Sequence, residues 1–178
     1  EYRRQRQMCI RDSMFIDREL ESSLLSEVTE KVKDLELAID RDKLGVFCVS
    51  PDYSSIVGLR VLHALSKDGE LPHYVFLDVA YPDDPQEKKD SYQGIVKVMC
   101  PYYRKALDKV ILVEAAVLTG KNYTWIIEEL VKAGFKEEDI ITIALVESKD
   151  SVFKSDIVGQ YVESMPEFYW EEYNKHWE

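Results

Sequence analysis

The stretch "VILVEAAVLTGKN", Val110 to Asn122, decides how the rest of the chain is read. It opens on four apolar residues, continues apolar apart from Glu114, and passes without a spacer into Thr-Gly-Lys-Asn. A continuous apolar run reads as a strand buried on both faces, which is the habit of parallel sheets. The helix-like text that follows, with Trp125, Ile126, Ile127, Leu130 and Val131 up to Gly134, makes this a strand–turn–helix unit. At such a junction the N–H groups of the first helical turn have no intrahelical partner, and the helix dipole favours negative charge. Gly120 permits a positive φ or a close backbone approach. Thr119 and Asn122 add polar side chains and Lys121 a charge. The stretch therefore reads as an anion site. It is not the G-x-x-x-x-G-K-[ST] loop, because position 115 holds alanine.

Working outward, "KLGVFCVS" (43–50), "HYVFLDVAY" (73–81), "DIITIALVE" (139–147) and "SDIVGQYVE" (155–163) read as further strands. Residues 15–39 have mostly helical apolar spacing. A second helix is expected from a cap at Ser54 or Ser55 through Ile56, Leu59, Leu62 and Leu65 to Gly69. Residues 82–93 read as a polar loop and "GIVKVM" (94–99) as an extended segment. Alternating strands and helices predict an α/β fold in three layers, a mostly parallel sheet flanked by helices, spanning residues 14–178 as one domain. Residues 1–13 are set apart. "QMCIRDS" (7–13) can be reverse-translated as CAG ATG TGT ATA AGA GAC AGY, a sequencing-adapter string, so this segment is expected to be adapter-derived or a disordered tail.

The 178 residues carry a net charge of −11 and are 46% apolar. Residues 1–13 contribute four basic and two acidic side chains, so the remainder stands at −13. That balance argues against nucleic-acid or anionic-membrane partners, which require a basic face. No apolar run reaches the ~18 residues of a membrane span. Three cysteines without metal spacing fit reduced thiols in a cytoplasmic protein. His63, His73 and His176 are scattered and read as ordinary surface or core residues. Asp83, Asp84, Glu87 and Asp90 read as a solvated loop, with a lid as the alternative. The aromatics Phe168, Tyr169, Trp170, Tyr173 and Trp177 read as the packing of a last helix on the sheet.

The frame Val110–Asn122 resembles the signature of type I phosphoribosyltransferases: four apolar residues, an acidic pair, two apolar residues, one more position, then Thr-Gly. "SVFKSDIVGQYVE" (151–163) resembles the segment after the last core strand of the hypoxanthine–guanine members. The ending "PEFYWEEYNKHWE" is loosely similar to that of xanthine-type relatives. The resemblance spans roughly residues 43–178. It implies transfer of phosphoribosyl from phosphoribosyl pyrophosphate to a purine-type base, as in purine salvage, with Mg²⁺ accompanying the phosphoribosyl pyrophosphate. It assigns the 5′-phosphate to Leu118, Thr119, Gly120, Lys121 and Asn122. It assigns the ribose hydroxyls, and indirectly the metal, to Glu114, the candidate catalytic residue. The pyrophosphate loop falls on Asp52, Tyr53 and Ser54, and the base pocket on Glu147, Lys149, Ile157 and Val158. The implied partner is a small nucleotide or phosphoribosyl ligand. Many relatives are dimers or tetramers, which leaves a homodimer open.

Four departures fall at the chemistry and not on the scaffold. Ala115 replaces the second acid. Leu118 stands where purine enzymes carry an Asp that can accept a proton. Residues 51–55 lack a basic side chain, and Glu147 stands where the family has Lys. They leave two expectations side by side: an altered enzyme, or a non-catalytic nucleotide-binding regulator on the same fold.

Overall fold

The computed structural model describes residues 14–35, 41–49, 51–77, 84–164 and 166–169, the side chains of 51–53 excepted. Residues 1–13, the ends of the expected helix and second strand at 36–39 and 78–81, Asp83, and Trp170, Tyr173, His176 and Trp177 lie outside them.

Five strands form one parallel sheet: β2 (Leu44–Val49), β3 (His73–Leu77), β4 (Lys109–Val117), β5 (Ile140–Ser148) and β6 (Ile157–Val162), in the order β3-β2-β4-β5-β6. A separate ribbon pairs β1 (Phe15–Ile16) with β7 (Glu167–Phe168), also parallel, so the two ends of the described chain meet. Phe168 of the tail is thus a buried strand residue. The expected α/β class and parallel sheet are found. β2, β4 and β5 are buried almost throughout because helices cover both faces.

On one face lie α1 (Arg18–Lys33) and α2 (Pro51–Leu65). Leu24, Leu25, Val28 and Val32 of α1 and Val57, Val61 and Leu65 of α2 pack on Val46, Ile111, Val113 and Leu145. α1 starts at Asp17, whose carboxylate accepts the Leu20 N–H at 2.8 Å. α2 starts earlier than its serines: Ser54 and Ser55 lie inside the helix. The pyrophosphate loop expected at Asp52–Ser54 is the first turn of this helix. Gly58 lets α2 lie close to the sheet, since a Cβ there would come within 2.1 Å of Cys48 Sγ. Cys48 and Cys100 are both free and buried, and burial pushes each thiol up to about 11, which keeps them protonated and unreactive.

The other face is covered by α3 (Pro85–Ala106) and α4 (Lys121–Lys132). α3 corrects two readings. Residues 85–93 are helical and not a loop, and Gly94–Met99 is helical and not extended. Asp84 caps the helix, accepting from the N–H groups of Gln86 and Glu87 at 2.8 and 3.0 Å, and Pro85 suits the first turn. Tyr92, Val96 and Cys100 then bury one stripe at four-residue spacing. Gly94 faces open space and Pro101 lies on the exposed side, so neither stops the helix.

Candidate functional site

The carboxyl end of β4 carries the site. Val117 ends the strand, Leu118 and Thr119 turn outward, and Gly120 takes the left-handed conformation (φ +73°, ψ +5°) as the N-cap of α4. A side chain at 120 would be strained by that φ, and it would also collide with Phe153, whose Cβ would be 2.2 Å away. The expected strand–turn–helix is therefore present, with its glycine required twice over. Lys121 is exposed. Its N–H makes only a long contact, 3.4 Å, to Thr119 Oγ1. Thr119 and Leu118 are also exposed, so the turn presents backbone and hydroxyl to solvent at a helix N-terminus.

Glu114 lies beneath this turn. Its side chain is largely buried, and the Asn122 amide donates to it at 2.7 Å. Burial pushes its carboxyl up to about 7, a rise opposed by the Asn122 hydrogen bond and by Lys88 of α3. Asn122, expected at the phosphate, thus has its side-chain amide engaged by Glu114. Tyr123 follows, fully buried, with its hydroxyl donating to the Ile143 carbonyl.

Ser54 of α2 completes the arrangement. Pairing of β4 with β2 ends at Val113, and the next free N–H on that side, from Ala115, donates to the buried Ser54 hydroxyl at 3.0 Å. The hydroxyl assigned to pyrophosphate therefore accepts from the strand that carries Glu114.

The residues assigned to a base pocket are not brought together. Glu147 is 0% exposed, and its carboxylate accepts the Ser155 N–H at 2.8 Å. Lys149 is exposed and paired with Glu163. Ile157 is buried in the core cluster under α1 and α2. Strand pairing sets Ile157 beside Ile143 and Val158 beside Ala144, while Glu147 stands beside Tyr161. Ile157 is thus about 13 Å along the strand from Glu147. The residue level with Glu147 is Tyr161, half exposed, with the Lys154 ammonium 5.8 Å from its ring centre. No sequence signal marked it, because register cannot be read from one strand's apolar pattern.

Among the described residues no group of three or more His, Cys, Asp or Glu side chains could hold a metal. His73 is on the surface with Nε2 3.0 Å from the Asp42 carbonyl oxygen, and His63 is exposed. Glu114 is sequestered and Ala115 has no side-chain oxygen, so these two side chains do not build a cage for Mg²⁺. No described helix is long and apolar enough to cross a membrane.

No protein-family model matches this chain, and no curated protein matches it in sequence. Solved structures do match. A purine phosphoribosyltransferase from Pyrococcus horikoshii Ot3 superposes with a TM-score of 0.59 at 17% identity, covering 89% of this chain and 94% of that one. The Helicobacter pylori xanthine-guanine-hypoxanthine phosphoribosyltransferase gives 0.60 at 12% identity, covering 93% and 97%. Likeness at these identities is likeness of fold, and it extends over nearly the whole of both chains: the protein has the phosphoribosyltransferase-like α/β fold.

Proposed function

We propose that this chain binds the 5′-phosphate of a nucleoside monophosphate or of phosphoribosyl pyrophosphate at Leu118–Asn122. The observation that carries the reading is the left-handed Gly120 opening α4 at the end of the central strand, in a fold shared with purine phosphoribosyltransferases. Backbone N–H groups of the first helical turn would hold the phosphate oxygens, with Lys121 adding charge. These donors need no particular side chains, so the substitutions elsewhere in the site leave them in place.

Binding without efficient transfer is the better-supported form of this reading. In a transfer reaction a base nitrogen bonds to C1′, the C1′–O bond to diphosphate breaks, diphosphate leaves with the electron pair, and the base sheds a proton. Leu118 offers that proton no acceptor. Ala115 offers the ribose no carboxylate, and Glu114 is turned inward onto Asn122. A positioned acid or base contributes ~10²–10⁴ in rate. Transfer to a purine-type base is the second reading, favoured by the order of motifs along the whole chain. Mg²⁺, where required, would arrive on the diphosphate oxygens of the ligand and supply charge neutralisation there.

Calorimetric titration of the full chain with guanosine 5′-monophosphate and with phosphoribosyl pyrophosphate, each with and without Mg²⁺, tests the binding claim. Heat of binding that disappears in Gly120→Asp supports it, and no heat with either ligand overturns it. A turnover assay with hypoxanthine, guanine, xanthine and adenine then separates regulator from enzyme. Leu118→Asp is expected to raise turnover only if the remaining groups still align with C1′.

A further inference from the structure

Glu147 has no place in the phosphate cradle by sequence, yet the structure connects the two. Its carboxylate is 0% exposed, a costly position for an acid unless it is bonded. Oε2 accepts the Ser155 N–H at 2.8 Å, while Oε1 makes no hydrogen bond among the described residues and lies 3.6 Å from the Lys154 ammonium. This buried acid therefore fastens the connection between β5 and β6, residues 149–156.

That connection is short and contains no helix. It is pinned at both ends. Lys149 N–H donates to the Val162 carbonyl at 2.9 Å, and Asp156 accepts from the Thr142 N–H and hydroxyl, each at 2.8 Å. Its middle is pressed against Gly120. A Cβ at 120 would meet Phe153 Cβ at 2.2 Å and Ser151 Oγ at 3.0 Å. The Ser151 hydroxyl in turn donates to the Phe153 carbonyl at 2.7 Å, and the Phe153 ring rests on Tyr123 with centres 5.3 Å apart. Both sides of the α4 N-terminus, Gly120 and Tyr123, are thus braced by a segment that Glu147 holds.

We propose that Glu147 is a positioning residue for the cradle. Through Ser155 and Phe153 it fixes the backbone of Gly120 and hence the direction of the N–H groups that open α4. The inference rests on the phosphate-binding reading of Leu118–Asn122. Its point of departure from the family pattern is chemical: an acid at this position faces inward and serves the phosphate end of the ligand, not the base.

The test uses the full chain, with amide resonances of Gly120, Lys121 and Asn122 followed by NMR and guanosine 5′-monophosphate affinity followed by calorimetry. Glu147→Leu, if folded, is expected to move those three resonances and to weaken binding about tenfold, the equivalent of one lost hydrogen bond. Glu147→Gln keeps an oxygen that accepts from Ser155 N–H and is expected to restore most of both readouts. Phe153→Gly leaves the buried acid intact, removes both the Cβ pressed on Gly120 and the ring resting on Tyr123, and is expected to move the same resonances, so it decides the matter if Glu147→Leu does not fold. Unmoved Gly120–Asn122 resonances in a folded Glu147→Leu or in Phe153→Gly would overturn the inference, as would Glu147→Gln behaving like Leu. Absence of ligand binding by the wild-type chain would sink the phosphate reading instead, and the resonances would still report whether the brace exists.

Discussion

Asn122 reaches back from the first turn of α4 to donate a 2.7 Å hydrogen bond to Glu114 on β4. One contact thus joins the Leu118–Asn122 turn to the only acid left of the expected pair. Burial raises that carboxyl to about 7 against a usual value of 4.5, and the bond from Asn122 opposes the rise.

Glu114 should make stability depend on pH in an unusual direction for a carboxylate. The folded state binds its proton more tightly than the unfolded state, so stabilisation is complete below about 4.5 and is lost as pH rises through about 7. The full swing is of the order of 3 kcal/mol. Urea unfolding at pH 5 and pH 7.5 should show the wild-type chain losing stability across that interval and Glu114→Gln losing much less. Equal losses would mean that the carboxyl titrates normally.

Gly120→Ala should cost both stability and ligand. The left-handed φ costs a side chain ~1–2 kcal/mol, and displacing Phe153 adds ~1–3 kcal/mol of overpacking. A melting temperature unchanged from wild type would contradict the geometry described for the turn.

Tyr123→Phe removes a buried hydroxyl and its hydrogen bond to the Ile143 carbonyl. The expected loss is ~0.5–1.5 kcal/mol, measured by denaturant unfolding. The substitution leaves the Phe153 contact in place, so the Gly120 resonances should stay close to wild type.

Asp84→Ala should cost about 1 kcal/mol by removing the acceptor for two N–H groups at the start of α3. A loss of helicity confined to residues 85–91, seen in amide hydrogen exchange, would accompany it. No effect would mean that packing of Tyr92 and Val96 alone sets the start of the helix.

Strands were the legible part of this chain. β2, β4 and β5 are buried on both faces, so their apolar runs are unbroken and stand out from any neighbour. The turn at Thr119–Asn122 was equally plain, because a glycine between a buried strand and a helix has few other uses. α3 was hidden by punctuation. Gly94 and Pro101 usually end regular structure, and only the Asp84-Pro85 start and the Tyr92–Val96–Cys100 stripe outweigh them. Side-chain direction was the illegible part. A glutamate at a strand end looks like a ligand contact, and nothing in the sequence showed that Glu147 turns inward to Ser155. Ser54 likewise looked like a cap, and its use by Ala115 depends on where β2 stops pairing with β4.

The short β5–β6 connection sets a limit on how this chain can vary in length. β6 begins beside Ile143, about five residues below the top of β5, so residues 149–156 must run back ~17 Å while crossing to the next strand. Eight residues stretch to at most ~26–29 Å. Six residues would still reach ~20–22 Å, so two could be removed only by drawing the segment nearly straight and off Gly120. An epitope or reporter sequence inserted there would unload the brace on Gly120, whereas the exposed turn at Asp68–Gly69 has nothing packed on Gly69 and is the place to put one.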